Sequence, residues 1–237
     1  MFEILVNIFN ALLYKPLFNS LVFLYNYLPG HDFGISIILL TFIIRIIIYP
    51  LSVKAINSQK SLQKVQPKIQ EIQKKYKDDK EKQAKEILEI YKTEKVNPFS
   101  GIFLAIIQLP ILIALYKVFW QGLDPKELVN LYNFLLNPGQ INAIFLGIID
   151  LSKANIAIAI LAGIVQFYQT KMLMPPKNQP VANKSSDFSQ MMQMQMTYFF
   201  PILTVIILLG LPSALGLYWT ASGIFSIIQQ YFILRQK

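Results

Sequence analysis

The sequence predicts an all-α integral membrane protein: five transmembrane helices around a polar interior, a cytoplasmic antiparallel helical hairpin and an N-terminal interfacial helix. Three observations carry that class. Of the 237 residues, 54% are hydrophobic, and most of these lie in uninterrupted runs near the roughly 20 residues that cross a bilayer. Polar side chains recur inside those runs at helical spacing. Lysine and arginine collect in alternate loops, as the positive-inside rule requires of cytoplasmic segments.

Composition excludes several kinds of chemistry. There is no cysteine, so disulfides, zinc–thiolate sites and cysteine nucleophiles are ruled out. The single His31 builds neither a metal cluster nor a histidine pair, and no metal or cofactor is expected. The formal charge of +9 belongs with topology rather than with sequence-specific nucleic-acid binding, because the apolar residues are in long runs.

Residues 1–30 read as an N-terminal interfacial amphipathic segment. Phe2, Leu5, Phe9, Leu12 and Leu13 share one helical face, Glu3, Asn7, Asn10 and Tyr14 the other. Lys15-Pro16 is expected to break the pattern. The segment lacks the basic start and small-residue cleavage site of a signal peptide.

Residues 31–237 read as a five-span core. The spans are Gly34–Val53, Phe99–Phe119, Ala154–Leu173, a short fourth at Thr197–Leu211, and Ser213–Leu234. "LGLPSALGLYW" (Leu209–Trp219) marks a tight turn between the last two. Lys54–Lys95 holds twelve lysines against seven acids, and Lys171, Lys177, Lys184 and the final "RQK" lie on the same side. The other side holds only Lys15, Lys117, Lys126 and Lys153. The N-terminus is therefore expected outside and the C-terminus in the cytoplasm.

Within the core, residues 55–97 form the hairpin. Leu62, Val65, Ile69, Ile72 and Tyr76 make one apolar stripe, and Ala84, Ile87, Leu88 and Tyr91 a second. Asp78-Asp79 supplies the turn, and Pro67 is expected to kink or restart the first helix. Its basic surface suits either plain solvation or docking to anionic headgroups, ribosomal RNA or a targeting factor. "PPKNQPVANKSSDFSQ" in the second cytoplasmic loop has a flexible composition, and "MMQMQM" (Met191–Met196) offers packing or an adaptable apolar surface.

The polar residues inside the spans carry the functional reading. Thr41, Arg45 and Ser52 share a face of span one. Span five carries Trp219, Ser222, Ser226, Gln229 and Gln230; span three Gln166, Gln169 and Thr170; span two Gln108. Amides and a guanidinium are too costly to face lipid alone, so they are expected to converge. Interhelical hydrogen bonding would account for the glutamines. Arg45 asks for more, because no Asp or Glu falls within any span. A hydrated positive charge in a cavity is a binding site for something negative or polar.

These residues carry a resemblance. "LLTFIIRIIIYPLSVKA", the first-loop run "QPKIQEIQKKYKDDKEKQAKEILEIYKTEKVNP", "IQLPILIALY", "FYQTKM", "FFPIL" and "LPSALGLYW…IFSIIQQY" occur in the order and spacing of the YidC/Oxa/Alb membrane protein insertases. The sequence resembles that family from about Asp32 to Gln230. The resemblance implies a five-helix bundle with no closed pore and a hydrophilic groove open to the cytoplasm and to lipid. It implies that Arg45 is the groove arginine, Thr41 its polar neighbour and Gln169 the glutamine facing it, with Tyr218 and Trp219 on the substrate path. Gln108 and Gln229 complete the expected substrate-binding groove. Compared with the Gram-negative members, no large extracytoplasmic domain precedes the core, and only "RQK" follows Leu234, so tail-mediated ribosome binding is not expected. The lack of a transit peptide favours a bacterial plasma membrane.

The expected activity is non-enzymatic: a nascent membrane protein arrives from the cytoplasmic side, its polar segment is hydrated in the groove, and its apolar body leaves sideways along spans three and five. No nucleotide motif accompanies this. Ribosome or targeting factors, and a Sec-type translocon, are the expected partners beside the lipid bilayer. The alternative is a small-solute or anion transporter using Arg45, which would call for repeat-related broken helices.

Overall fold

The computed structural model describes residues 2–97, 100–121, 125–174 and 195–235. Helices α1 (Phe2–Phe9) and α2 (Lys15–Tyr27) are joined by a π-helical turn, Asn10–Tyr14, so the expected break at Lys15-Pro16 is absent. Pro16 falls in the first turn of α2, where its missing N–H costs little. The Lys15 N–H meanwhile reaches back to the Asn10 carbonyl. The 25-residue run Glu3–Tyr27 is long and apolar enough to cross a membrane on length and composition. Its buried face is Tyr14, Phe18, Leu21, Val22 and Tyr25, whereas Leu5 and Leu12 of the expected apolar face are exposed.

Helix α3 (Phe33–Ile47) starts at Asp32, whose carboxylate caps the Ile35 N–H at 2.9 Å. The first expected span, 34–53, ends early. The chain bends by 66° between α3 and α4 (Tyr49–Lys75). Pro50, in the first turn of α4, has no N–H to continue the ladder of α3. Helix α4 then runs through Pro67 without restarting, so the first arm of the hairpin is a bent extension of the first span. Val65 and Ile69, flanking Pro67, are buried and offset the lost backbone bond.

Asp79 caps α5 (Lys80–Thr93) by accepting from the Lys82 N–H at 2.9 Å. The two arms meet through Val65, Ile69 and Val96, with Leu62, Ile87, Ile90 and Tyr91 packed against them. Leu88, expected in that stripe, is exposed, and Ile90 takes its place. Burial pushes the Tyr91 hydroxyl pKa up. Helix α4 also packs against α6 (Ser100–Gln121) and against the last helix, α9 (Ser213–Arg235).

Between α6 and α7 (Ile156–Met172) lie a 3₁₀ turn, Pro125–Asn130, and a two-stranded antiparallel hairpin, β1 (Ile144–Phe145) with β2 (Ile149–Asp150), an addition to the all-α expectation. This loop is bonded along α2: Asn19 donates to the Asn130 carbonyl at 3.1 Å, Asn26 to that of Leu136 at 2.7 Å, and the Asn142 N–H to the Tyr25 hydroxyl at 3.0 Å. A π-turn, Gln195–Phe199, leads into α8 (Phe200–Leu208). Met191–Met194 and the loop before them lie outside the described residues. Helix α9 packs against α7 and α3, and α7 against α8. Helices α3, α6, α7, α8 and α9 overlap the apolar runs 34–53, 99–119, 154–173, 197–211 and 213–234, with α3 ending early at Ile47.

Candidate substrate groove

Helices α3 and α9 place Arg45 and Ser222 side by side. The half-buried guanidinium donates to the Ser222 hydroxyl through Nε at 2.8 Å and through Nη2 as well. Ser222 is buried, and Ser226 one turn on donates to the Ser222 carbonyl at 3.0 Å. Among the described residues, no carboxylate forms an ion pair with Arg45. Its charge is therefore held by a neutral hydroxyl, with the fork of guanidinium donors converging on one oxygen. A carboxylate would normally take two.

One turn before Ser222 on α9, the buried Tyr218 hydroxyl accepts from the Gln108 amide of α6. On the α7 side, Trp219 Nε1 donates to Gln166 Oε1 at 3.1 Å. Gln169 Oε1 lies 3.6 Å from where a Cβ on Gly223 would stand, beside Ser222 in sequence. Arg45, Gln108, Gln169, Tyr218 and Trp219 thus surround the middle of α9. Two further expected members make contacts of their own. Thr41 is fully buried and its hydroxyl donates to the Ile37 carbonyl of its own helix at 2.6 Å. Gln229 braces the bend between α3 and α4, donating to Ser52 Oγ at 2.6 Å, while Ser52 donates to the Tyr49 carbonyl at 2.8 Å. Ser222 and Gln166 entered the sequence reading only as members of polar rows. Their roles follow from the relative rotation of α3, α7 and α9, which single-helix spacing leaves open.

The same side of α9 also carries an apolar wall, since Leu215 and Ser222 are seven residues, nearly two full turns, apart. A cavity of about 330 Å³ lies between α6, α8 and α9, walled by Leu112, Ile113 and Tyr116, by Thr204 and Ile207, and by Leu215 and Trp219. Trp219 belongs to both environments, its ring in the cavity wall and its N–H on Gln166. The α7–α9 contact is closed by glycine. A Cβ on Gly216 would lie 2.7 Å from Ile158 Cγ2, and one on Gly223 2.5 Å from Val165 Cγ1. Gly163 fits equally tightly under Val205 of α8, at 2.5 Å. Helices α7 and α9 are thus in close contact at these positions, whereas the cavity lies between α6, α8 and α9. Among the described residues, no three His, Asp or Glu gather as a metal site.

Residues 23–237 match the model of the family described as "60Kd inner membrane protein". The sequence is 34% identical over 226 residues to a protein of Fusobacterium nucleatum named "Membrane protein insertase YidC", covering 94% of this chain and 98% of that relative. Relatives of the same name in Geobacter metallireducens and Syntrophus aciditrophicus are each 35% identical, over 94% and 93% of this chain. The chain spans little more than a third of those two, 37% and 36% of their lengths. With a family match over most of its length, the chain belongs to the 60Kd inner membrane protein family, the YidC family of bacterial inner-membrane proteins.

Proposed function

We propose that the chain is a non-enzymatic membrane protein insertase, accepting nascent membrane proteins from the cytoplasmic side and releasing them laterally. One observation carries the reading: along one side of α9, within two turns, stand an apolar cavity and a guanidinium that no carboxylate pairs with among the described residues. A polar or acidic segment of a substrate gains from Arg45 and the amides around it, while the apolar segment gains from the walls of α6 and α8. Dividing the substrate between two environments avoids the full cost of moving polar groups through hydrocarbon. The name borne by the relatives above supports the reading, and none of them supports the solute-transporter alternative.

The remaining architecture follows from this reading. Helices α3, α6, α7, α8 and α9 are the five spans, the first continued past its bend into the hairpin. At about 1.5 Å rise per residue, the 22 residues of α6 and the 23 of α9 give roughly 33–35 Å, a full crossing. Helices α1 and α2 lie in the outer interface, since Asn19, Tyr25 and Asn26 are bonded along their length to the α6–α7 loop. The N-terminus is outside, the C-terminus is cytoplasmic, and the basic α4–α5 arm faces the ribosome or targeting factors.

Site-specific photo-crosslinking tests the reading. Crosslinkers at positions 169 and 219 are expected to capture a stalled, ribosome-bound nascent membrane protein. A probe on the exposed Lys80 is expected to miss the substrate's transmembrane segment. Absence of adducts from both inner positions would contradict the proposal.

A further inference from the structure

The segment between α6 and α7 has a feature that insertion does not use. From Leu128 to Ile149, 22 residues in a row carry no Asp, Glu, Lys, Arg or His. Many of their apolar side chains point outward: Val129 is 88% exposed, Phe134 77% and Ile148 84%, with Leu136 and Leu146 exposed beside them. Tyr132 and Phe134 stack at 5.5 Å, giving an aromatic pair at the surface. An uncharged surface this apolar marks contact with a partner or with lipid.

The position of the segment selects lipid. Asp32, the cap of α3, accepts from the Ile35 N–H through one carboxylate oxygen and from the Leu146 N–H through the other, at 2.9 and 2.6 Å. The tip of the β-hairpin is therefore fixed at the depth of the first turn of a spanning helix. Phe145 locks the depth from the other side. It packs onto Gly34, where a Cβ would fall 2.1 Å from the ring. The rest of the segment is bonded along α2, whose own Phe23 and Tyr27 are exposed.

The turn points the same way. Leu146 and Gly147 have φ of +50° and +72°, in a turn closed by the Ile148 N–H on the Phe145 carbonyl at 3.0 Å. Such positions favour Asn, Asp or Gly, and a bulky residue there is strained. A leucine is poorly suited to that backbone in water. At a bilayer surface its side chain is worth burying.

We propose that the apolar tips of residues 129–148 are embedded in the headgroup–hydrocarbon boundary of the outer leaflet, anchoring the outer end of the bundle. Interfacial burial of aromatic and aliphatic side chains is favourable there, and the backbone keeps access to headgroup water. The inference rests on the membrane orientation given above.

Environment-sensitive fluorophores on single cysteines test it in vesicles of phosphatidylcholine and phosphatidylglycerol. Positions 134, 146 and 148 are compared with the polar loop position 140 and with position 224 inside α9. Probes at 134, 146 and 148 are expected to be blue-shifted, protected from iodide, and to lose most of their emission to lipids spin-labelled near the headgroup. The probe at 140 should stay open to iodide. Ile148→Asp should move a probe at 146 back toward water. Iodide access at 146 and 148 with a shielded probe at 224 would overturn the proposal alone. An unshielded probe at 224 would overturn the membrane reading with it. Shielding seen in native membranes but not in pure lipid would assign the surface to a protein partner and overturn the lipid assignment.

Discussion

The α7–α9 contact and the α6–α8 side of the bundle are made in opposite ways. In the first, Gly216 and Gly223 bring two helices so close that even a Cβ would collide with Ile158 or Val165. In the second, bulky residues such as Ile113, Tyr116 and Ile207 stand around a cavity and remain exposed. Close small-residue packing is how helices hold together where the hydrophobic effect cannot favour association over lipid. Under the function proposed above, a bundle sealed on one side and open on the other gives release a direction, by way of α6 and α8.

The largest effect is expected in the seam. Gly223→Leu should leave no folded protein, and Gly223→Ala should lose about 1–3 kcal/mol by overpacking. Adding Val165→Ala should restore much of that loss, since Val165 Cγ1 is the atom met first. Ile113→Ala on the open side should change stability within about 0.5 kcal/mol. Thermal unfolding in detergent measures all four. Equal sensitivity of the two sides would remove the contrast.

Arg45 comes next, read in activity. Under the proposed function, the charge is what the groove needs from it, since its fork of donors converges on the single Ser222 hydroxyl. Arg45→Lys should keep most insertion, its long stem still reaching water. Arg45→Ala should fail on substrates with an acidic translocated segment and spare a matched neutral one. Arg45→Glu should be worse on the acidic substrate through like-charge repulsion. Protease protection of the translocated segment reports each. Equal loss with Lys and Ala would assign the role to guanidinium geometry.

A smaller effect belongs to the bend. Gln229→Leu removes the donor to Ser52 and should cost about 1 kcal/mol. It should raise hydrogen exchange at Tyr49–Val53 while leaving crosslinks from position 169 intact. Loss of those crosslinks would return Gln229 to the groove.

The smallest effect is at Asp150. The Ser152 hydroxyl, followed by Lys153, holds its carboxyl below the usual carboxylate range. A depressed value in the fold means stability that is present at neutral pH and lost as pH falls through and below that range. The group is largely exposed and screened, so Asp150→Asn should flatten only a slight acid-side fall in Tm. An unchanged acid limb would show that the contact contributes nothing.

Much of this was legible in the sequence. Helix positions follow from apolar runs, and the α4–α5 pair from its stripes and the Asp78-Asp79 turn. Arg45 stood out because no acid shares its environment. What was not legible depends on how helices face one another. The spacing of Thr41 puts it on the face of Arg45, but a buried threonine can also satisfy its hydroxyl on its own helix, as it does here. Gln229 lies on the polar row of α9, and beyond the 66° bend it is Ser52 that accepts from its amide. The glycines of α9 looked like ordinary span residues until their partners on α7 were known. Leu146-Gly147, in an uncharged stretch, was the available signal for the β-hairpin.

The direction of release is tested most directly by tethering each side. Cysteines at Ile158 and Gly216 are close enough for a disulfide, and replacing Ile158 removes the atom that a Cβ at 216 would meet. Cysteines at Ile113 and Ile207, on facing walls of the cavity, can be joined by a short bismaleimide. Insertion is followed by protease protection before and after tethering. The α7–α9 tether is expected to leave insertion unchanged, and the α6–α8 tether to abolish it. Normal insertion with α6 and α8 joined would contradict the account.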